Sequence, residues 1–137
     1  MNSKSCDYGI ADSSYKAAGE LAGLTKLVDS FYDFMESLPE AKKIREMHKS
    51  DFSESRKKLA YFLSGWLGGP KLYSENFGRI TIPAAHKHLP IGLDETEAWI
   101  LCMQKAVEEQ CYEESFKQYL IEQLRVPAER IRAACST

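Results

Sequence analysis

Residues 24–38, which read LTKLVDSFYDFMESL, decide the fold class. The apolar side chains of this stretch recur at the i, i+3, i+4 and i+7 spacing of one helix face. They are Leu24, Leu27, Val28, Phe31, Tyr32, Met35 and Leu38. Because such an apolar stripe is stable only when other elements cover it, the stretch predicts a long helix with one buried face.

Two further helices are predicted before a sharp break in the chain. Pro39 suits the first position of a helix, where its missing N–H is no loss, and this predicts a short helix from Ala41 to Met47. Asp51-Phe52-Ser53-Glu54 resembles a capping box that opens the next helix, which Gly68-Gly69-Pro70 ends abruptly. The inner face of that helix is predicted to carry Leu59, Ala60, Leu63, Trp66 and Leu67.

Residues 70–92 lack a helical pattern, and we predict a long ordered loop there. It is expected to contain at most a short helix around His86 and His88. Arg79-Ile80-Thr81-Ile82 could form a strand, but a single strand has no partner with which to pair. A loop of this length inside a compact domain is usually functional or disordered.

Helices are again predicted after the loop. Asp94, with Glu97 three residues later, is expected to cap a central helix in which residues 98–103 are apolar on all sides. Pro127 is expected to start a short terminal helix. Between these two lies an amphipathic helix that carries Tyr112, Phe116, Tyr119, Leu120 and Leu124. Tyr15 and Ala17-Ala18 indicate a short leading helix. The chain is therefore predicted to form one all-α domain with two helix pairs on either side of the loop.

Composition excludes several classes of protein. The 137 residues carry 18 Lys and Arg against 20 Asp and Glu, a net charge of −2, which gives no reason to expect nucleic acid or an anionic membrane as a partner. No apolar stretch approaches the ~20 residues needed to span a bilayer, and the first six residues do not resemble a secretory signal. The four cysteines, which form no CxxC pair, are expected to be reduced thiols. We therefore expect a cytoplasmic protein.

The residues taken singly leave several chemistries open. His86 and His88 could suggest zinc, but a zinc site needs three or four protein ligands, and Cys102 lies in a helix typical of a core. A nucleophilic Cys–His pair would need an activated thiolate, and nothing in the pattern activates one. Tyr32 and Trp99 are aromatic side chains with polar tips on inward faces, and periodicity alone favours ordinary core packing over a functional role for both.

Taken together, five motifs resemble the group II truncated haemoglobins in their order and spacing, from about Gly19 to Phe116. They are Leu27-Val28 with Phe31-Tyr32, Trp66-Leu67-Gly68-Gly69-Pro70 with Tyr73, His88-Leu89-Pro90, Ala98-Trp99 and Cys102-Met103. The resemblance implies a two-on-two helical sandwich around haem b. It divides the chain into an N-terminal extension, residues 1–18, and a truncated globin domain, residues 19–137.

The resemblance also implies roles for individual residues. His88 matches the proximal ligand of the haem iron. Tyr32, His48 and Trp99 match distal side chains that stabilise a bound ligand, with Met47 as the alternative to His48 because that alignment needs a gap. Whether Tyr32 or His48 binds the iron in the absence of a ligand is left open. The other implied haem contacts are Ser55, Leu59, Phe62, Lys71, Tyr73, Arg79 and Lys87. Where family members often carry two arginines before the proximal histidine, this chain has His86-Lys87.

The function implied is reversible binding or transport of O₂, with NO and CO as further ligands. The alternative is a haem enzyme for nitric-oxide dioxygenation or peroxidase-like detoxification, and a third reading is a helical interaction module that has lost haem. We expect a reductase partner of unknown identity, no nucleic acid and no membrane partner, and a monomer or weak dimer.

Overall fold

The computed structural model describes residues 8–47, 52–78, 89 and 91–135. Seven helices and one 3₁₀ turn lie in these ranges, and no strand does. They are α1 (Ser13–Ala17), α2 (Glu20–Ser37), the turn (Pro39–Ala41), α3 (Lys42–Glu46), α4 (Ser53–Trp66), α5 (Leu72–Phe77), α6 (Leu93–Glu108) and α7 (Glu114–Cys135). The all-α prediction is confirmed. No helix in the described ranges is long and apolar enough to cross a membrane.

Helix α2 is the centre of the packing. It lies against α4 on one side and α6 on another, while α6 packs in turn against α7. The face predicted from the 24–38 stretch is the one that is buried, with Leu24, Leu27 and Phe31 fully covered, and only Leu38 at its end is half-buried. Residues Ile100, Cys102 and Met103 of α6 are also buried, as expected for a central helix.

The predicted start of α6 is wrong by two residues. Its N-cap is Gly92, not Asp94, and the Gly92 N–H donates to Oε1 of Glu95 at 2.7 Å. The other oxygen of Glu95 pairs with Lys43 of α3 at 3.1 Å. A carboxylate reaching back from the third helical position satisfies one of the free N–H groups of a helix start. Glu95 therefore performs the capping that the sequence pattern assigned to Glu97.

Three other predictions about helix boundaries are also wrong. Pro127 does not start a separate helix, because α7 continues through it from Glu114 to Cys135. The buried face of α7 runs across the proline, from Leu124 to Ala128, so packing compensates for the lost hydrogen bond. Helix α5 forms at the beginning of the segment predicted to be a loop. The remaining predictions for that loop fall outside the described residues. The capping box predicted from Asp51 to Glu54 is wrong, because the N-cap of α4 is Phe52, whose apolar side chain makes no capping hydrogen bond.

Helix α1 docks on the glycine turn that ends α4. The Tyr15 N–H donates to the carbonyl of Leu67 at 3.1 Å, and a Cβ atom at Gly69 would collide with the Tyr15 ring. Gly68 has a φ of +93°, which glycine adopts without strain, and a Cβ atom there would collide with the Ala11 carbonyl. The two glycines therefore let the leading helix approach the α4 backbone closely.

This contact predicts the effect of Gly69→Ala. The added methyl group must displace the Tyr15 ring, and we expect the free energy of unfolding to fall by ~1–3 kcal/mol, the usual cost of overpacking. The measurement is urea unfolding followed by circular dichroism. The same substitution in a Tyr15→Ala background should cost much less, since the obstructing ring is gone. An equal cost in both backgrounds would contradict the proposed collision.

Candidate functional site

A cavity of about 380 Å³ lies between α2, α4, α6 and the second half of α7, with α5 at one edge. Six of the residues predicted from sequence line it: Tyr32, Ser55, Leu59, Phe62, Tyr73 and Trp99. These side chains come from four different helices, and residues 32 and 99 are far apart in sequence. The fold therefore gathers most of the described candidates around one space.

Phe31 contacts both Tyr32 and Trp99, the aromatic residues that the sequence predicts beside a bound ligand. Its ring packs edge-on against Tyr32, with centroids 4.9 Å apart, and against Trp99, with centroids 5.1 Å apart. Tyr32 also contacts the ring of Phe52, which precedes α4, at 4.7 Å. Because Phe31 is fully buried, movement of either neighbour would disturb the core. Tyr32 and Trp99 are thus held in fixed relation to each other.

The Tyr32 hydroxyl is a neutral hydrogen-bonding group. Burial raises the pKa of Tyr32 to about 12, and the positive charge of Arg56 and a hydrogen bond with Ser55 oppose this shift without cancelling it. Only 5% of the residue surface is exposed. The phenol therefore keeps its proton over the physiological pH range and can donate it in a hydrogen bond.

Helix α4 forms one wall of the cavity. Ser55, Leu59 and Phe62 lie at i, i+4 and i+7, so all three project from the same helix face. Lys58 reaches the cavity from the edge of that face. Its ammonium group lies 3.5 Å from Glu54 and 5.4 Å from the ring centroid of Phe77. The wall is thus apolar in the middle and basic at its edge.

The remaining predicted residues fall into three groups. Lys71 is exposed at the start of α5 and is not among the lining residues. His48, Arg79, Lys87 and His88 lie outside the described residues. Met47, the alternative to His48, does line the cavity, and so does Leu89, which follows His88 in the sequence.

Sequence reasoning missed the contribution of α7 and the start of α6. Leu124, Ala128 and Ile131 line the cavity at i, i+4 and i+7 along α7. Their spacing could have been noticed, but Pro127 suggested a break in that helix. Glu95 and Thr96 also line the cavity, one turn before Trp99. That position follows directly from helical geometry once Trp99 is placed.

The lining suits a mainly apolar group that carries charge at one edge. Most of the walls are aliphatic or aromatic side chains, with a few polar tips such as Ser55, Thr96 and Tyr32. Ligand sites in proteins have this character, with volumes of roughly 300–1,000 Å³. Lys58 and Tyr73 at the edge could meet the ionised carboxylates of a porphyrin. The residues present therefore fit haem.

Comparison with known proteins agrees with the fold and the cavity. The sequence pattern of the bacterial-like globin family matches residues 13–132. Group 2 truncated hemoglobin YjbI of Bacillus subtilis (strain 168) is 36% identical over 114 residues, which cover 83% of each chain. The chain belongs to the group II truncated haemoglobins. It is thus a haem protein that binds small gaseous ligands, and its helices form the two-on-two sandwich of that family.

Solved structures of truncated haemoglobins superpose closely on this globin. The group II 2-on-2 hemoglobin of Agrobacterium tumefaciens gives a TM-score of 0.82 at 32% identity, covering 87% of this chain and 92% of its own. The truncated oxygen-avid haemoglobin of Bacillus subtilis gives 0.77 at 34% identity, covering 86% and 97%.

The raised pKa of Tyr32 predicts how the stability of this globin depends on alkaline pH. Since the folded state holds the phenol proton more tightly than the unfolded state, the free energy of unfolding should fall as pH rises from 10 towards 12. Tyr32→Phe should make that fall less steep, and the double variant with Tyr112→Phe less steep still, because burial also raises the pKa of Tyr112 to about 12. Urea unfolding at several pH values measures the slope. If the free energy of unfolding of Tyr32→Phe fell as steeply with pH as that of the wild type, the raised pKa of Tyr32 would be contradicted.

Proposed function

We propose that this globin reversibly binds O₂, and other diatomic ligands, at haem b held by His88, with Tyr32, His48 and Trp99 as the polar side chains of the distal pocket. The observation that carries the proposal is that Tyr32, Ser55 and Trp99 line one mainly apolar cavity. Hydrogen-bond donors are a minority of its lining side chains, and in apolar surroundings each donor interacts more strongly with a polar ligand than it would in water.

His88 is proposed as the proximal ligand on two grounds. It belongs to the motif His88-Leu89-Pro90 that resembles the family pattern, and Leu89 lines the cavity. A neutral imidazole binds iron through one ring nitrogen, while the N–H of the other donates to a neighbouring acceptor and fixes the ring. Lys58 and Tyr73, with Lys71, Arg79 and Lys87, are the proposed partners of the haem carboxylates.

Bound haem supplies an iron with one coordination position open to a diatomic ligand. The chain supplies the surroundings of that position. The hydroxyl of Tyr32 and the indole N–H of Trp99 are donors fixed by their packing on Phe31. Donors that are already in place stabilise developing negative charge on a ligand without reorganisation, and the apolar walls limit competition from water. The proposed result is slow ligand release.

The oxygen-avid relative from Bacillus subtilis supports O₂ as the ligand, because it shares 34% of its sequence and the same fold. An avid site retains its ligand, and hydrogen-bond donors of the kind that Tyr32 and Trp99 provide would have that effect. We therefore propose a ligand-retaining haemoglobin, suited to scavenging or sensing O₂, in preference to rapid transport.

The proximal ligand is tested by His88→Ala. We expect the purified protein to lose haem or to shift its intense near-ultraviolet absorption band, because the iron loses its protein ligand. His86→Ala, two residues earlier, is the matched control and should keep the wild-type spectrum. Two variants with the same wild-type spectrum would overturn the assignment of His88.

The distal donors are tested by Tyr32→Phe and Trp99→Phe, which keep the ring and remove the donor. Each should speed O₂ release by roughly 2- to 10-fold, the effect of one net hydrogen bond. Stopped-flow release of O₂ from the reduced protein measures this, and Tyr61→Phe on the other side of α4 serves as control. Unchanged rates in both variants would contradict the polar pocket. Sustained consumption of NO under O₂ with a reductant would instead favour the dioxygenase function.

A further inference from the structure

We propose that Arg56 is a positioning residue for ligand binding: its guanidinium clasps α4 to α2 and thereby fixes the Tyr32 hydroxyl at the distal pocket. The inference rests on the proposed function, since it assigns a role to a residue that acts through Tyr32. Arg56 does not line the cavity itself. Its side chain lies behind the pocket wall and is only 27% exposed.

The clasp consists of hydrogen bonds that span the two helices. One terminal nitrogen of Arg56 donates to Oδ1 of Asp29 at 2.9 Å and to the Asp29 carbonyl at 3.2 Å. The other donates to Oδ1 of Asp33 at 3.1 Å. Asp29 and Asp33 stand one helical turn apart on α2, three residues before and one residue after Tyr32. The guanidinium therefore holds the segment of α2 that carries the phenol.

The same guanidinium also restrains the aromatic rings. Its carbon lies 5.7 Å from the ring centroid of Tyr32 and 5.9 Å from that of Phe52. Arg45 of α3 lies 4.2 Å from the centroid of Phe52 and pairs with Glu36 of α2 at 3.3 Å. Two arginines, each tied to a carboxylate on α2, thus border the Phe52 ring, which packs on Tyr32. Positive charge lies close to the phenol without entering the cavity.

Arg56 and Ser55 are neighbours on the first turns of α4, and this links the clasp to the pocket. Ser55 and Tyr32 both line the cavity, one from α4 and the other from α2. The Arg56 N–H donates to the Phe52 carbonyl at 2.8 Å, so that turn is closed. Any movement of α4 away from α2 would separate Ser55 from Tyr32. The bonds of Arg56 to Asp29 and Asp33 oppose that movement beside Tyr32, where α4 lies next to the segment of α2 that carries the phenol.

Stability alone is a weak explanation for this arrangement. The partners Asp29 and Asp33 are 53% and 72% exposed, and ion pairs with exposed partners contribute little to folding. Helices α2 and α4 are already joined by buried apolar side chains such as Phe31 and Leu63. Loss of the clasp should therefore have a small effect on unfolding and a larger one on the pocket.

Arg56→Gln tests the proposal in the haem-loaded protein. We expect O₂ release to become roughly 2- to 10-fold faster, as for partial or complete loss of one hydrogen bond from Tyr32. The CO-stretching frequency of the CO complex should rise, because the ligand experiences a weaker donor. Arg56→Lys keeps the positive charge but loses the two terminal nitrogens with which the guanidinium bonds both aspartates. Its O₂ release rate and CO-stretching frequency should therefore lie between those of the wild type and Arg56→Gln. Arg125→Gln is the matched control, because it breaks a 3.1 Å pair between α7 and α6 instead.

A double-mutant cycle separates positioning from general destabilisation. In a Tyr32→Phe background, Arg56→Gln should change neither the release rate nor the CO frequency, because the group that it positions is missing. If Arg56→Gln acts equally in both backgrounds, or acts no more than Arg125→Gln, the proposal is wrong. If Tyr32→Phe itself has no effect, the proposed donor role of Tyr32 fails first. If Tyr32→Phe has its effect and Arg56→Gln has none, only the inference about Arg56 fails.

Discussion

The contact of Phe31 with Tyr32 and Trp99 is the interaction on which the site depends. Phe31 is fully buried on the central helix, and its ring touches both aromatic residues at about the same distance. Phe31 therefore fixes how α2 packs against α6. It also fixes the distance between Tyr32 on α2 and Trp99 on α6, which both line the cavity. The packing of the core and the geometry of the pocket are consequently set by the same side chain.

Much of the fold could be predicted from residue spacing, and the failures have physical reasons. The 24–38 stretch predicts α2 because its seven apolar side chains recur with the period of a helix. No other regular secondary structure would place all seven on one buried face. The start of α6 was misplaced because a carboxylate three residues into the helix can cap it from either Glu95 or Glu97, and only the tertiary pair with Lys43 distinguishes them. Pro127 suggested a break that the continuous buried face of α7 overrides.

The site was predicted less completely, and mostly through resemblance. Spacing alone left Tyr32 and Trp99 as ordinary core aromatics, since nothing local distinguishes a buried phenol in a pocket from one in a core. Order and spacing of the motifs added the roles, and the structure brings Tyr32, Ser55 and Trp99 around one cavity. The wall from α7 could not be predicted from those motifs, because its residues contribute shape and not a distinctive chemical group. Arg56 could not be predicted either, because its partners lie 23 and 27 residues away.

The burial of the Tyr32 phenol constrains what the pocket can offer a ligand. A buried hydroxyl without a hydrogen-bond partner destabilises the fold, so a ligand that accepts from Tyr32 would replace a partner that the phenol already has. A ligand then gains only the difference between its own hydrogen bond and the one already formed. Since a net hydrogen bond contributes only ~0.5–1.5 kcal/mol, modest changes in the position of Tyr32, which the proposed role of Arg56 would prevent, should alter ligand release measurably. If the proposals hold, ligand retention is set both by the donors that touch the ligand and by the residues that hold those donors in place.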